Sequence, residues 1–201
     1  MDQERTRWNH NTHYHRLVIA TIPDGAGRAL DVGCGEGMLV RELRRHVPEV
    51  VGIDLDQVSI DQAEVQNNDD AGSEFVLGDF LTHPFEPASF DFVTSVATLH
   101  HVDADIGLSR IRDLLRPGGV MCVVGLARAQ LRDFPLELAS VLAHRYFLLS
   151  RKYWQHPSPT VWPPPETYAS MRRIAAELLP GARFQRHLLW RYSLTWTKPS
   201  C

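Results

Sequence analysis

The sequence predicts an α/β domain with a largely parallel sheet and helices on both faces. Two observations carry that prediction. Short β-rich apolar runs alternate with helix-period segments from Ala29 to Gly125, giving five strand-like runs in all. Glycines also follow the first of those runs directly, where a strand must turn sharply into a helix. Strand and helix in alternation imply right-handed crossovers, which cover both faces of a parallel sheet. The 201 residues, 44% apolar and 22% charged, have an ordinary globular composition and exclude wholesale disorder. A chain of this length hides about 70% of its extended surface on folding, so its core needs no metal or disulfide.

The elements follow in order. Ala29–Gly33 (ALDVG) is a buried-strand pattern, and Leu39, Leu43 and Val47 then form one helical stripe before Pro48. Val50–Asp54 (VVGID) is a second strand, with Ser59 as the expected cap of the next helix. Glu74–Gly78 and Phe90–Val96 are the third and fourth strands. Asp103 or Asp105 starts a helix carrying Leu108, Ile111 and Leu115, which Arg116-Pro117-Gly118-Gly119 ends ahead of a fifth strand, Val120–Val124. Leu131–Leu149 is expected to be helical with apolar residues on more than one face, so that it is covered by the protein, a ligand or a second copy. His156–Pro165 is a proline-rich connection. A helix with Tyr168, Met171, Ala175 and Leu178 on one stripe follows, then Arg183–Leu189 and Tyr192–Thr197, an antiparallel hairpin at the sheet edge.

The segment richest in chemistry is Asp31-Val32-Gly33-Cys34-Gly35-Glu36-Gly37. It is not the dinucleotide fingerprint, because Met38 stands where the last glycine belongs, and no Gly-Lys-Ser/Thr of a phosphate loop follows. What remains presents a carboxylate, Asp31, which suits a ligand ammonium group better than a pyrophosphate. Asp54, at the end of the second strand, is placed to accept hydrogen bonds from both hydroxyls of a ribose. Asp79 is placed to accept from an adenine amine, with Phe80 or Leu55 flanking the ring. The ligand so described has a ribose, an adenine and a positive charge, without a phosphate chain.

ALDVGCGEG, VVGIDLD, EFVLGDF, FDFVTSVATLHHV and LLRPGGVMCVV stand in an order and spacing that resemble class I S-adenosylmethionine-dependent methyltransferases, most of all the small ubiquinone/menaquinone-biosynthesis type. The resemblance covers about 29–125 strongly and the tail more loosely. It implies a Rossmann-like, doubly wound seven-stranded sheet, mostly parallel, with the last strand antiparallel, and S-adenosyl-L-methionine as cofactor with S-adenosyl-L-homocysteine as product. It also implies that Asp31, Gly33, Cys34 and Gly35 line the methionine part, Asp54 and Leu55 the ribose and adenine, and Asp79 and Phe80 the adenine. Ser95 is placed by it under the amino acid or methyl group. The whole chain is expected to be one methyltransferase domain: an N-terminal lid over 1–28, a cofactor-binding core over 29–125, a substrate-side helix and proline loop over 126–165, and a C-terminal helix and hairpin over 166–201.

The chain has ten histidines, beside 21 Lys+Arg and 24 Asp+Glu that give a formal charge of −3. Five of them cluster. His100-His101 follow the fourth strand, where one is expected to reach the substrate as a proton acceptor and the other to pack. In the resembling family the second of the pair is the common one and is often structural. His10, His13 and Tyr14 share one face if their segment is helical, and as a lid they present imidazoles and a phenol to the substrate. These histidines are expected to titrate near neutrality. His10, His13 and His15 have no carboxylate suitably near, so no metal site is expected. Trp8–His15, Leu131–Trp154 and the loop around Trp162 are expected to set specificity for a partly hydrophobic small molecule. A dimer face is the rival use of Leu131–Leu149, so the chain is read as a monomer or homodimer.

The mild charge gives no basic groove, so no nucleic-acid partner is expected. Cys34, Cys122 and Cys201 form no CxxC, and a reducing compartment suits them. The first residues have no apolar signal core, no run reaches the roughly 18 apolar residues of a membrane span, and a cytoplasmic location is expected. The expected reaction is in-line methyl transfer to oxygen or nitrogen of a small metabolite. An RNA or protein methyltransferase and a non-catalytic cofactor-binding module are the alternatives.

Overall fold

The computed structural model describes residues 7–68, 70–154 and 162–200. Seven strands form one sheet: β1 (Arg28–Val32), β2 (Glu49–Asp54), β3 (Ser73–Leu77), β4 (Phe90–Val96), β5 (Leu115–Gly125), β6 (Arg183–His187) and β7 (Arg191–Thr197). Their spatial order is β3-β2-β1-β4-β5-β7-β6. Pairings among the first five are parallel, and β7 runs antiparallel to both β5 and β6. The order reverses between β1 and β4, which opens a crevice at their carboxyl ends.

Six helices complete the described chain: α1 (His15–Ile19), α2 (Met38–Leu43), α3 (Gln57–Gln66), α4 (Ala104–Leu114), α5 (Phe134–Ser150) and α6 (Tyr168–Leu178). Strand alternation divides the core in two. Leu30, Val93 and Met121 face one side with Leu108 and Ile111 of α4 and Met171 and Ala175 of α6. Ala29, Phe92 and Cys122 face the other with Leu39 and Leu43 of α2, Ile60 of α3 and Val18 of α1. The sheet is thus covered on both faces, as the alternation of elements requires.

Some boundaries differ from the sequence expectation for local reasons. Asp56, rather than Ser59, caps α3: its Oδ2 accepts from the Ser59 amide at 3.0 Å and the Ser59 hydroxyl at 2.7 Å. Asp103 caps α4, accepting from the amides of Asp105 and Ile106. β5 already begins at Leu115, because the Arg116–Gly119 turn forms a bulge that keeps Leu115 paired with Phe90. The β6–β7 hairpin turns through Leu188–Trp190, with Leu189 and Trp190 both left-handed (φ 56° and 57°).

The largest departure concerns the N-terminal segment. Asn11 and Thr12 enter a single 3₁₀ turn over Thr12–Tyr14 in place of a helix, so His10, His13 and Tyr14 form no common helical face. Trp8 and Tyr14 are buried with Val18 in the second core, and the Trp8 ring stacks on Phe147 of α5 at 4.8 Å. This segment is built into the fold. The proline-rich connection is described only from Trp162 onward, and its 155–161 part lies outside the described residues. Among the described residues no helix is long and apolar enough to cross a membrane.

Candidate functional site

A cavity of about 590 Å³ opens at the carboxyl edge of the sheet. Its first part is the glycine loop after β1. Gly33 has φ +75°, and a Cβ there would collide with the Thr98 side chain; Gly37, also at φ +75°, faces Phe75 in the same way. Only glycine fits this close approach. The loop amides point inward: Gly33 and Cys34 donate to the Ile53 carbonyl, Gly37 to the Cys34 carbonyl, and Gly35 to Asp54 Oδ2 at 2.8 Å. A phosphate cradle needs such amides free. This loop offers none of those four.

Acid lines the cavity instead. Asp31 is almost wholly buried, and burial, with the nearby Asp54 carboxylate second, pushes its pKa up to about 8. A carboxyl group so strained toward neutrality is a seat for a cation. Asp54 sits across the loop with Oδ1 accepting from the Asp56 amide at 3.0 Å. Asp79, whose Oδ1 accepts from the Leu81 amide, lies beyond it with Phe80 and the exposed Leu55. Burial also pushes the Cys34 thiol up, which makes it an inert small neighbour.

The raised Asp31 pKa makes a stability prediction. A carboxyl whose folded pKa lies above its unfolded value stabilises fully below about 3.8 and loses that contribution as pH rises through about 8. The ligand-free protein should therefore lose thermal stability relative to Asp31→Asn as pH is raised from 5 to 8, with the gap levelling above that. Parallel melting curves for the two proteins across this range would contradict the burial argument.

The cavity continues past Ala97 and Thr98 to His100 and His101, and ends on Asn11, His15, Trp154 and Arg191. His100 is buried with Nδ1 lacking any hydrogen-bond partner. Burial first, then His101 and Arg191, lowers its pKa to about 4, so it is neutral at pH 7.

Most of the sequence-predicted residues meet here: Asp31, Gly33, Cys34, Gly35, Asp54, Leu55, Asp79, Phe80, His100 and His101 all border the cavity. Ser95 does not; its hydroxyl donates to the Val32 carbonyl at 3.1 Å, tying β4 to β1, and Ala97 and Thr98 take the place facing the cavity. His10, His13 and Tyr14 also stand outside it. His10 Nε2 lies 2.9 Å from His144 Nδ1, against Trp190 and Tyr153. His13 Nδ1 accepts from the Trp8 indole at 3.3 Å. Burial lowers both pKa values, that of His10 to about 4, so His10 does not titrate near neutrality. The segment's contribution to the cavity is Asn9, Asn11, Thr12 and His15. No helical residue of α5 lines it, so of Leu131–Trp154 only Trp154 does. Among the described residues no group of His, Cys, Asp or Glu has the arrangement of a metal site.

Tyr14 is an anchor. Its hydroxyl donates to the Leu188 carbonyl at 2.6 Å, and burial raises its pKa to about 12. Tyr14→Phe should cost about 1–2 kcal/mol, the price of an orphaned carbonyl, and lower Tm by about 2–8 °C. A variant melting with the wild type would show the bond to be idle.

Sequence reasoning missed Arg191 and Asn11. Arg191 opens a strand otherwise read for its apolar alternation, and only the pairing of β7 with β5 brings it to the cavity rim.

Comparisons with known proteins agree with this geometry. A family model described as a methyltransferase domain matches residues 30–123. An uncharacterized methyltransferase of Mycobacterium tuberculosis is 37% identical over 200 residues, covering 99% of this chain and 100% of that one. A demethylmenaquinone methyltransferase of Roseiflexus is 31% identical over 174 residues, 79% of this chain and 71% of the relative. Among solved structures, a Pyrococcus horikoshii protein superposes with a TM-score of 0.68 at 17% identity, over 98% of this chain and 92% of the other, a likeness of fold. With a full-length methyltransferase relative and an acid-lined glycine loop at the sheet's switch point, the chain belongs to the class I S-adenosylmethionine-dependent methyltransferases.

Proposed function

We propose that the protein methylates an oxygen or nitrogen atom of a small, partly hydrophobic metabolite. The observation that carries this reading is one cavity that runs from Asp31, Asp54 and Asp79 to His100 and Arg191. The first three would hold S-adenosylmethionine. Asp31 would face its charged amino-acid end, Asp54 its ribose hydroxyls, and Asp79, with Leu55 and Phe80, its adenine. When bound, the cofactor supplies an electrophilic methyl group on a sulfonium whose departure leaves a neutral thioether.

The chain's own part is to bind, align and remove a proton. Methyl transfer would require the acceptor atom to be held in line with the cofactor's methyl–sulfur bond, and fixing the acceptor's position there would lower the barrier by several kcal/mol. An attacking O–H or N–H loses its proton in the process, and His100, neutral at pH 7 and with Nδ1 unpaired, is the group placed to take it. The acceptor's apolar body would extend into a second cavity of about 510 Å³, which shares Leu126 with the first. It is lined mainly by apolar residues such as Trp162, Pro163, Pro164 and Trp190, with Arg128 and Glu137 also on its wall.

The test is incubation with S-adenosylmethionine carrying a labelled methyl group and a metabolite extract, with total RNA and protein as parallel substrates. Label is expected in a small-molecule fraction. Label only in RNA or only in protein would overturn the substrate class. Cofactor binding with no transfer to any fraction would leave a binding module.

A further inference from the structure

Among the described residues, Arg191 is a buried cation with no anionic partner. It is about 6% exposed, yet it borders the cavity. Its Nη2 donates to Asn11 Oδ1 at 2.7 Å, and Nη1 to the Leu189 and Trp190 carbonyls at 3.2 and 3.4 Å. Nε has no partner. Each of those acceptors is neutral. The carboxylates of Asp133 and Glu137 are taken by Arg186, at 2.6 and 3.2 Å. A guanidinium removed from water without a counter-charge costs several kcal/mol, and its planar fork matches a carboxylate.

The place in the sheet says whose carboxylate this is. Arg191 starts β7, beside the carboxyl end of β5, where Gly125 pairs with Tyr192. Three strand spacings, about 14 Å, separate it from β1 and the glycine loop, and β4 and β5 lie between. It stands on the His100 side of the cavity, next to Trp190 of the apolar second cavity.

Resting on the methyltransferase reading above, we infer that the methyl acceptor carries a carboxylate, which Arg191 binds while the apolar body extends toward Trp190 and Trp162. Among the described residues lining the first cavity, Arg191 is the single Arg or Lys; Arg128 lines the second. One positive charge matches a monoanion and falls short of a phosphate dianion.

The experiment titrates hexanoate, hexanamide and hexyl phosphate by ligand-observed NMR, with and without S-adenosylhomocysteine. Hexanoate is expected to bind at least tenfold more tightly than hexanamide and no more weakly than hexyl phosphate. Arg191→Gln is expected to abolish the preference for hexanoate while S-adenosylhomocysteine affinity stays within twofold. Equal binding of hexanoate and hexanamide to the wild type, or tighter binding of hexyl phosphate, overturns the inference. So does an Arg191→Gln protein that keeps the preference. Should Arg191→Gln not fold, the wild-type contrast decides alone. A carboxylate preference in a protein that does not bind S-adenosylhomocysteine would instead sink the methyltransferase reading and leave the anion site standing.

Discussion

Asp54→Ala should weaken S-adenosylmethionine binding by at least about 100-fold, measured by calorimetry. On the proposed reading, two charge-assisted hydrogen bonds to ribose hydroxyls would be lost, each contributing about 1.5–3 kcal/mol. A second effect acts on the protein itself, since the same carboxylate accepts from the amides of Gly35 and Asp56 and so holds the glycine loop against the end of β2. The variant should therefore also melt below the wild type, and affinity is to be measured well under its own Tm. Unchanged affinity would remove Asp54 from the cofactor site and with it the assignment of this end of the cavity.

The second large effect concerns the N-terminal segment. Read from sequence as a lid, it ought to be removable from a folded domain. The structure argues the reverse. Deletion through His15 takes away Trp8, stacked on Phe147, and Tyr14, bonded to the Leu188 carbonyl. Large buried aromatics contribute about 3–5 kcal/mol each, so the two together are a large share of the roughly 5–15 kcal/mol that holds a domain folded. The truncated chain is expected to melt at least 10 °C lower (about 2–4 °C per kcal/mol at this size) or not to fold. A truncation with wild-type Tm would restore the detachable lid.

Why was the glycine-loop half of the cavity legible and the half around His100 and Arg191 less so? The glycine loop, Asp54 and Asp79 each stand at the end of a β-rich run, and in a parallel sheet those ends share one edge. Sequence order alone therefore brings them together. Ser95 failed on a finer point: it lies within β4, two residues short of Ala97, and strand alternation turns its hydroxyl to the Val32 carbonyl. His10, His13 and Tyr14 failed because helical spacing was assumed where the chain makes a 3₁₀ turn after Asn9, whose side-chain oxygen holds the amides of Asn11 and Thr12. A polar side chain that captures nearby backbone amides competes with helix formation.

α5 shows the same limit at larger scale. Its apolar residues lie on several faces, which the sequence already displayed. Only packing tells them apart: Ala143 and Phe147 meet the N-terminal segment, while Phe134, Leu142 and Tyr146 remain exposed.

By itself the sequence determined the parallel sheet, its helices and the ligand-binding edge, because periodicity and strand-end motifs are local signals, and the resemblance carried by those motifs implied the cofactor. The tertiary structure alone decided which histidines reach the cavity and that the N-terminal segment belongs to the core. It also decided that Arg191, at the start of β7, stands buried beside His100. Those outcomes depend on contacts between residues far apart in the chain, such as Asn11 with Arg191 and Trp8 with Phe147, and no local pattern encodes such a pairing.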